Sequence, residues 1–145
     1  MERLIVLDAD GVLWAGVAGD HTHPFYNVQE AYRDTGIPLA LLTRNTWANL
    51  VNAFSHPKMV LRVWDFEEIV CEADKVRELT RLSQTYDLIY VDDEETECQK
   101  VRDALPDLRI VHAPPKEALG VARWLAGLSQ VARVVKHKAY KRPRR

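Results

Sequence analysis

Residues 5–14, Ile5-Val6-Leu7-Asp8-Ala9-Asp10-Gly11-Val12-Leu13-Trp14, decide the reading of this chain. The stretch opens on an apolar run containing two β-branched residues and closes on two carboxylates and a glycine. Such a run predicts a strand buried on both faces that runs out into a loop. In an open α/β sheet, ligands bind outside the carboxyl ends of the strands, which is where Asp8 and Asp10 fall. Two ionised carboxylates one residue apart repel each other, so the pair calls for a cation or a shared proton. Gly11 permits a sharp turn beside them. Taken alone, the decapeptide reads more simply as a strand-to-turn junction with Asp and Gly as ordinary turn residues. The rest of the chain changes that balance.

Working outward, apolar runs alternate with amphipathic stretches. Residues 11–27 read as a loop rich in Gly and His, with 14–17 as a short flap beside the acids and His21 and His23 as exposed polar residues. Asn27 can cap a helix over 28–35, ended by Gly36 and the Ile37-Pro38 step. A buried strand over 39–42 ends at Thr43-Arg44-Asn45, and Asn45 or Thr46 can cap a helix through about Phe54. A third strand is expected over 60–63, with a turn or short helix over 65–69. A helix beginning at Ala73-Asp74-Lys75 carries Val76, Leu79 and Leu82 on one face. A strand over 88–91 ends in Asp92-Asp93. A helix over 94–105 has acids in its first turns, suiting the helix dipole. A fifth strand over 109–111, the Pro114-Pro115 break and an apolar-faced helix complete the core. This pattern predicts a single-domain, Rossmann-like α/β fold: a five-stranded parallel sheet with helices on both faces, over 1–132.

Composition narrows the class. The chain has 145 residues, and an apolar share of 47% with four tryptophans suffices for one packed core. No apolar run approaches the roughly 18 residues of a membrane span. The first strand begins so near Met1 that no room is left for a signal peptide. Cys71 and Cys98 lack metal-type spacing and read as reduced thiols of a cytoplasmic protein. The net charge of -1 conceals an asymmetry. Residues 133–145 hold seven of the twenty Lys/Arg and no acid, leaving thirteen basic against twenty-one acidic residues in the body. That basic tail is a candidate contact for nucleic acid, with Tyr140 able to stack on a base, and Val131, Val134 and Val135 can extend the last helix toward it.

Polar groups arrive at strand ends or a helix start in a fixed order: Asp8 and Asp10, Thr43, Lys75, then Asp92 and Asp93. Each has a job in phosphoryl transfer. A carboxylate can attack phosphorus and form an acyl phosphate. Mg²⁺ prefers oxygen ligands from carboxylates and phosphate, and four carboxylates in two clusters, with no His or Cys pattern beside them, suit it. A hydroxyl at Thr43 and an ammonium at Lys75 can hold phosphoryl oxygens. Individually each group has an ordinary structural explanation, as a cap or a solvated side chain. Jointly, four such coincidences in this order are much harder to accept.

The same order resembles the four motifs of the haloacid dehalogenase (HAD) superfamily. Asp8-x-Asp10-Gly11-Val12-Leu13 is similar to the first motif, Thr43 to the second, Lys75 to the third and Asp92-Asp93 to the fourth. Gly16-Val17, Gly19, Gly36-Ile37-Pro38-Leu39, Thr43-Arg44-Asn45, His56-Pro57-Lys58-Met59-Val60-Leu61 and Asp65-Phe66 resemble the capless FkbH-like branch, with the magnesium-dependent phosphatases as a second close branch. The resemblance implies a Mg²⁺-dependent phosphatase. Asp8 would be nucleophile and Asp10 general acid/base, with Thr43, Arg44, Asn45 and Lys75 on the substrate and Asp8, Asp10, Asp92 and Asp93 around the metal. Asp8 and Thr43 lie 35 positions apart and Thr43 and Lys75 lie 32 apart, which leaves no space for a cap domain. An open site implies a large or exposed substrate, or a lid supplied by a partner. The alternatives are FkbH-like acyl loading, whose proteins usually have extra domains and a thiol nearby, for which Cys71 and Cys98 are the candidates, a receiver-type signalling domain, and a nucleic-acid-associated module. A receiver domain carries its acid pair first, whereas here the tandem pair comes last.

Overall fold

In a computed structural model, which describes residues 1–128, the opening apolar run forms the central strand of a five-stranded sheet. In chain order the elements are β1 (Arg3–Leu7), β2 (Trp14–Gly16), β3 (Thr22–Pro24), α1 (Tyr26–Asp34), β4 (Leu39–Leu42) and α2 (Trp47–Phe54). They continue as β5 (Phe66–Val70), α3 (Lys75–Ser83), β6 (Asp87–Asp92), α4 (Glu95–Ala104), β7 (Arg109–His112) and α5 over 118–128. The sheet order is β5-β4-β1-β6-β7 with every pair parallel. The chain builds outward from β1 on one side and returns to build outward on the other. The loops after β1 and β6 therefore diverge, opening a crevice at the carboxyl ends of these strands.

Alternation along the strands feeds two cores. Leu4, Val6, Ala40, Leu42, Leu88 and Tyr90 face α3 and α4 through Leu79, Leu82 and Val101. Ile5, Leu7, Leu39, Leu41, Ile89 and Val91 face α1, α2 and α5 through Val28, Tyr32, Leu50, Ala122 and Leu125. Helices on both faces thus cover a sheet whose central strand is buried on both sides, as the apolar run predicts.

Three local expectations are corrected. The third strand is not 60–63 but Phe66–Val70. The backbone N–H groups of Val60 and Leu61 donate instead to Oε1 of the fully buried Gln29, each at 3.0 Å. Phe66–Val70 is an edge strand, and an edge tolerates the charges of Glu67 and Glu68 that make this stretch look unlike a strand. The flap over 14–17 is one arm of an antiparallel hairpin, with Trp14 opposite Pro24 and Gly16 opposite Thr22. Helix α1 starts at Tyr26 with Phe25 as a cap that makes no side-chain hydrogen bond, so Asn27 lies inside the helix. The expected cap Thr46 holds for α2, and Asp74 caps α3. Thr46 accepts from the Asn49 amide and Asp74 from the Arg77 amide. The basic tail 133–145, Val131, Val134, Val135 and Tyr140 lie outside the described residues. Among the described residues no helix is long and apolar enough to cross a membrane.

Candidate active site

The site assembles where β1, β4 and β6 end. Asp8 extends β1: its N–H donates to the Val91 carbonyl at 3.2 Å, which holds it beside the end of β6. The chain then turns through Ala9 to Trp14, with Gly11 at φ +81°. A Cβ on Gly11 would lie 2.1 Å from Oδ2 of Asp93, so glycine is what lets the β1 loop and the acid pair after β6 approach. Asp8, Asp92 and Asp93 each present a carboxylate oxygen, and these atoms lie within 4.8 Å of one another. An all-oxygen set of this kind suits a hard divalent cation. The Asp10 side chain is not part of that group.

Asp10 is instead committed to the flap and to the loop after β4. Its Oδ1 accepts from Nε1 of the buried Trp14 at 2.8 Å and from the Ala18 amide at 3.1 Å. Its Oδ2 accepts from Nδ2 of Asn45 at 3.2 Å. The same Nδ2 donates to Oγ1 of Thr43 at 2.9 Å, and the Asn45 backbone N–H adds a second donor to that oxygen at 3.1 Å. Both lone pairs of Thr43 Oγ1 are thereby used, which leaves its O–H to donate into the cleft. Asn45 spends both amide hydrogens as a bracket between Asp10 and Thr43.

Lys75 reaches the acids because the loops after β4 and β5 are laced together. Thr43 N–H donates to the Val70 carbonyl, Glu72 N–H to Asn45 and Ala73 N–H to Thr43. Helix α3 then begins with Lys75 as its first residue, aimed inward and buried. Its Nζ lies 3.2 Å from Oδ1 of Asp8 and 3.0 Å from Oδ2 of Asp92. Burial opposes the lysine charge, but the carboxylates of Asp8 and Asp92 outweigh it and hold the pKa above its ordinary value. Burial pushes the Asp8 carboxyl up to about 7 against the pull of Lys75, with Asp92 and Asp93 adding to the rise. Burial and the Asp92 charge push Asp93 up to about 6. Clustered carboxyls held reluctant to ionise accommodate added positive charge readily.

Asp8, Asp10, Thr43, Arg44, Asn45 and Lys75 line one cleft of about 220 Å³ together with Glu94 and Glu97. Sequence reading missed three participants. By sequence Glu97 reads as a dipole-matching acid, yet it is nearly buried and both its oxygens accept from Nη2 of Arg44, at 2.8 and 2.9 Å. Trp14 anchors Asp10. Tyr90 donates its hydroxyl to Oδ2 of Asp92. A signal for the last was present, since Tyr90 and Asp92 fall on one face of a strand and a buried phenol needs a partner. A larger cleft, about 660 Å³, lies at the opposite ends of β1, β6 and β7, away from every residue predicted for chemistry. His21 and His23 are exposed on the hairpin. Neither thiol is activated: burial pushes Cys98 up to about 11, and burial followed by the Glu72 charge raises Cys71.

No protein-family model matches the chain, and no curated protein matches it in sequence. Solved structures do match in shape. One is the N-terminal part of a Bacteroides fragilis protein that contains a phosphatase domain and is complexed with Mg. It superposes with a TM-score of 0.70 at 24% identity, over 86% of this chain but only 40% of that one. This chain therefore spans about two fifths of that structure's length. The 3-deoxy-D-manno-octulosonate 8-phosphate phosphatase of Moraxella catarrhalis, in complex with magnesium, phosphate and the sugar acid, gives 0.59 at 14% identity, over 97% of this chain and 94% of that one. A Legionella pneumophila protein assigned to subfamily IIIA of the HAD hydrolases gives 0.52 at 14% identity, over 96% and 89%. The fold of this chain is the HAD-like Rossmann fold these structures share.

Proposed function

We propose that the chain is a Mg²⁺-dependent phosphomonoester hydrolase of HAD type, working through an aspartyl phosphate on Asp8. The observation that carries the reading is the convergence of three carboxylates and a buried lysine at one crevice, with a free hydroxyl donor and a separately held acid beside them. The Mg-bound and phosphate-bound neighbours support it by shared fold. Asp8, Asp92 and Asp93 would hold the cation. Bound there, Mg²⁺ would offset the charge of the acids and of the phosphoryl oxygens.

An Oδ of Asp8 attacks phosphorus as the bond to the leaving oxygen breaks, and Asp10 gives that oxygen its proton. Asp10 then takes a proton from water, whose oxygen attacks phosphorus. The Asp8–phosphorus bond breaks, inorganic phosphate leaves and the Asp8 carboxylate is restored. Thr43 and Lys75 hold phosphoryl oxygens, and Arg44 stands at the rim. Asp10 suits its role because it lies outside the cation group, lines the cleft and has, among the described residues, a single hydrogen-bond donor on Oδ2. The cleft has no lid of its own beyond the hairpin among the described residues, which supports a large or exposed phosphorylated substrate. Acyl loading finds no activated thiol in its favour.

The deciding experiment is phosphate release with Mg²⁺ across nucleotides, phosphorylated oligonucleotides, phosphopeptides and sugar phosphates, with mass spectrometry for a phosphoryl adduct on Asp8. Asp8→Asn should abolish turnover and adduct together, and full activity in that variant would refute the covalent route. Asp10→Asn should slow turnover by about 10²–10⁴-fold while retaining metal binding.

A further inference from the structure

Asp92 is fully buried, and its carboxylate is held at three points. Oδ2 accepts both from Lys75 Nζ, at 3.0 Å, and from the Tyr90 hydroxyl. Oδ1 accepts from the Glu94 backbone N–H at 3.1 Å. Two donors fill the in-plane lone pairs of Oδ2, whereas Oδ1 keeps one. We infer that Tyr90 is a positioning residue for the cation site: by saturating Oδ2 together with Lys75 it fixes the rotation of the Asp92 carboxylate and presents Oδ1 to a divalent cation. The inference rests on the metal-site reading above.

The physical reason for needing Tyr90 lies in what Lys75 does. Its ammonium is shared between Asp8 and Asp92, so it must follow any movement of Asp8. Without Tyr90 the carboxylate keeps the Glu94 N–H on Oδ1, but Oδ2 is held by that ammonium alone and can swing with it about the Oδ1 contact. Tyr90 is anchored independently. It sits in the middle of β6, in register with Val6 of β1, and its ring is buried in the core under α3 and α4. Partners outside the metal's own ligands commonly account for ten- to hundredfold in metal affinity.

The test is calorimetric Mg²⁺ titration of the wild type and Tyr90→Phe, which keeps the ring and removes only the hydroxyl. About tenfold weaker binding by a variant with an unchanged near-ultraviolet spectrum is the expected result. Affinity within twofold of wild type overturns the inference. A second measurement needs no variant. The ¹³Cζ resonance of Tyr90, which reports the hydrogen bond of its phenol, should shift in step with Mg²⁺ saturation in the wild-type protein. An unmoved resonance at saturation overturns the inference even if Tyr90→Phe fails to fold. Absence of Mg²⁺ binding in the wild type would instead bring down the metal site itself, and this inference with it.

Discussion

Nζ of Lys75 stands 3.2 Å from Oδ1 of Asp8, the first residue of a helix on one side of the sheet meeting the end of the central strand. With Asp92 at 3.0 Å on its other side, this one ammonium separates two carboxylates that would otherwise repel across a buried space. Lys75→Met should therefore lose turnover and stability together. Removing one partner from a buried ionic group costs on the order of 3 kcal/mol. Loss of one stabilising donor to the transition state costs about 10²–10³ in kcat. Denaturant unfolding with and without Mg²⁺ checks the first part, since added cation should restore part of the lost stability. A variant as stable as wild type without Mg²⁺ would contradict the role given to Lys75.

The raised carboxyls make stability depend on pH in a definite direction. Asp8 moves from 3.8 to about 7 and Asp93 from 3.8 to about 6. A carboxyl whose pKa is raised on folding binds its proton more tightly in the folded state, so the slope of stability against pH is negative between the two values. Without metal, the thermal midpoint should fall as pH rises from about 4 to about 7 and then level off. Saturating Mg²⁺ should flatten that fall by neutralising the ionised cluster. A midpoint that climbs across this window in chelator would refute the electrostatic account.

Gly11 offers a geometric test. Its φ of +81° and the 2.1 Å approach of a built Cβ to Asp93 Oδ2 mean that alanine meets strain and a collision at once. The left-handed conformation alone costs a non-glycine residue roughly 1–2 kcal/mol. The collision should displace Asp93 as well. Gly11→Ala is thus expected to weaken Mg²⁺ binding beyond what its loss of stability explains, measured by titration at a temperature where the variant is fully folded. Unchanged Mg²⁺ affinity in folded Gly11→Ala would show that Asp93 does not sit at the cation.

These residues also show why part of the site was legible in sequence and part was not. Asp8, Thr43, Lys75 and Asp92 stand next to strong local signals, the ends of apolar runs or the start of an amphipathic helix. β5 is hard to read from sequence because an edge strand can carry Glu67 and Glu68, whereas Val60 and Leu61 of the 60–63 stretch find their partner in Gln29, some thirty positions earlier. Glu97 and Trp14 act through side-chain contacts that depend on how loops and helices come together, so spacing along the chain gives little sign of them, whereas the i,i+2 spacing of Tyr90 and Asp92 on one strand does point to their contact.

Arg44 and Glu97 supply the last prediction. Nη2 of Arg44 carries both contacts to the Glu97 carboxylate, at 2.8 and 2.9 Å, so Nε and Nη1 take no acceptor among the described residues. The Arg44 side chain is 64% exposed and that of Glu97 only 10%. The acid is thus the fixed partner, and the guanidinium is tethered at one corner over a cleft that also contains Asp8, Asp10 and Glu94. Under the phosphatase reading, an anionic substrate entering so acidic a cleft gains from the spare donors of Arg44 and is opposed by Glu97. Arg44→Met should raise KM for a phosphomonoester roughly three- to tenfold, about 1 kcal/mol for an exposed charge, with a smaller change in kcat. Glu97→Gln should act in the opposite direction, lowering KM, because it removes one acid and leaves Arg44 unpaired. Both follow from steady-state kinetics at fixed Mg²⁺ and ionic strength, and added salt should shrink both effects. If Glu97→Gln raises KM as much as Arg44→Met does, the tether rather than the free charge is what the substrate needs, and the competition argued here is wrong.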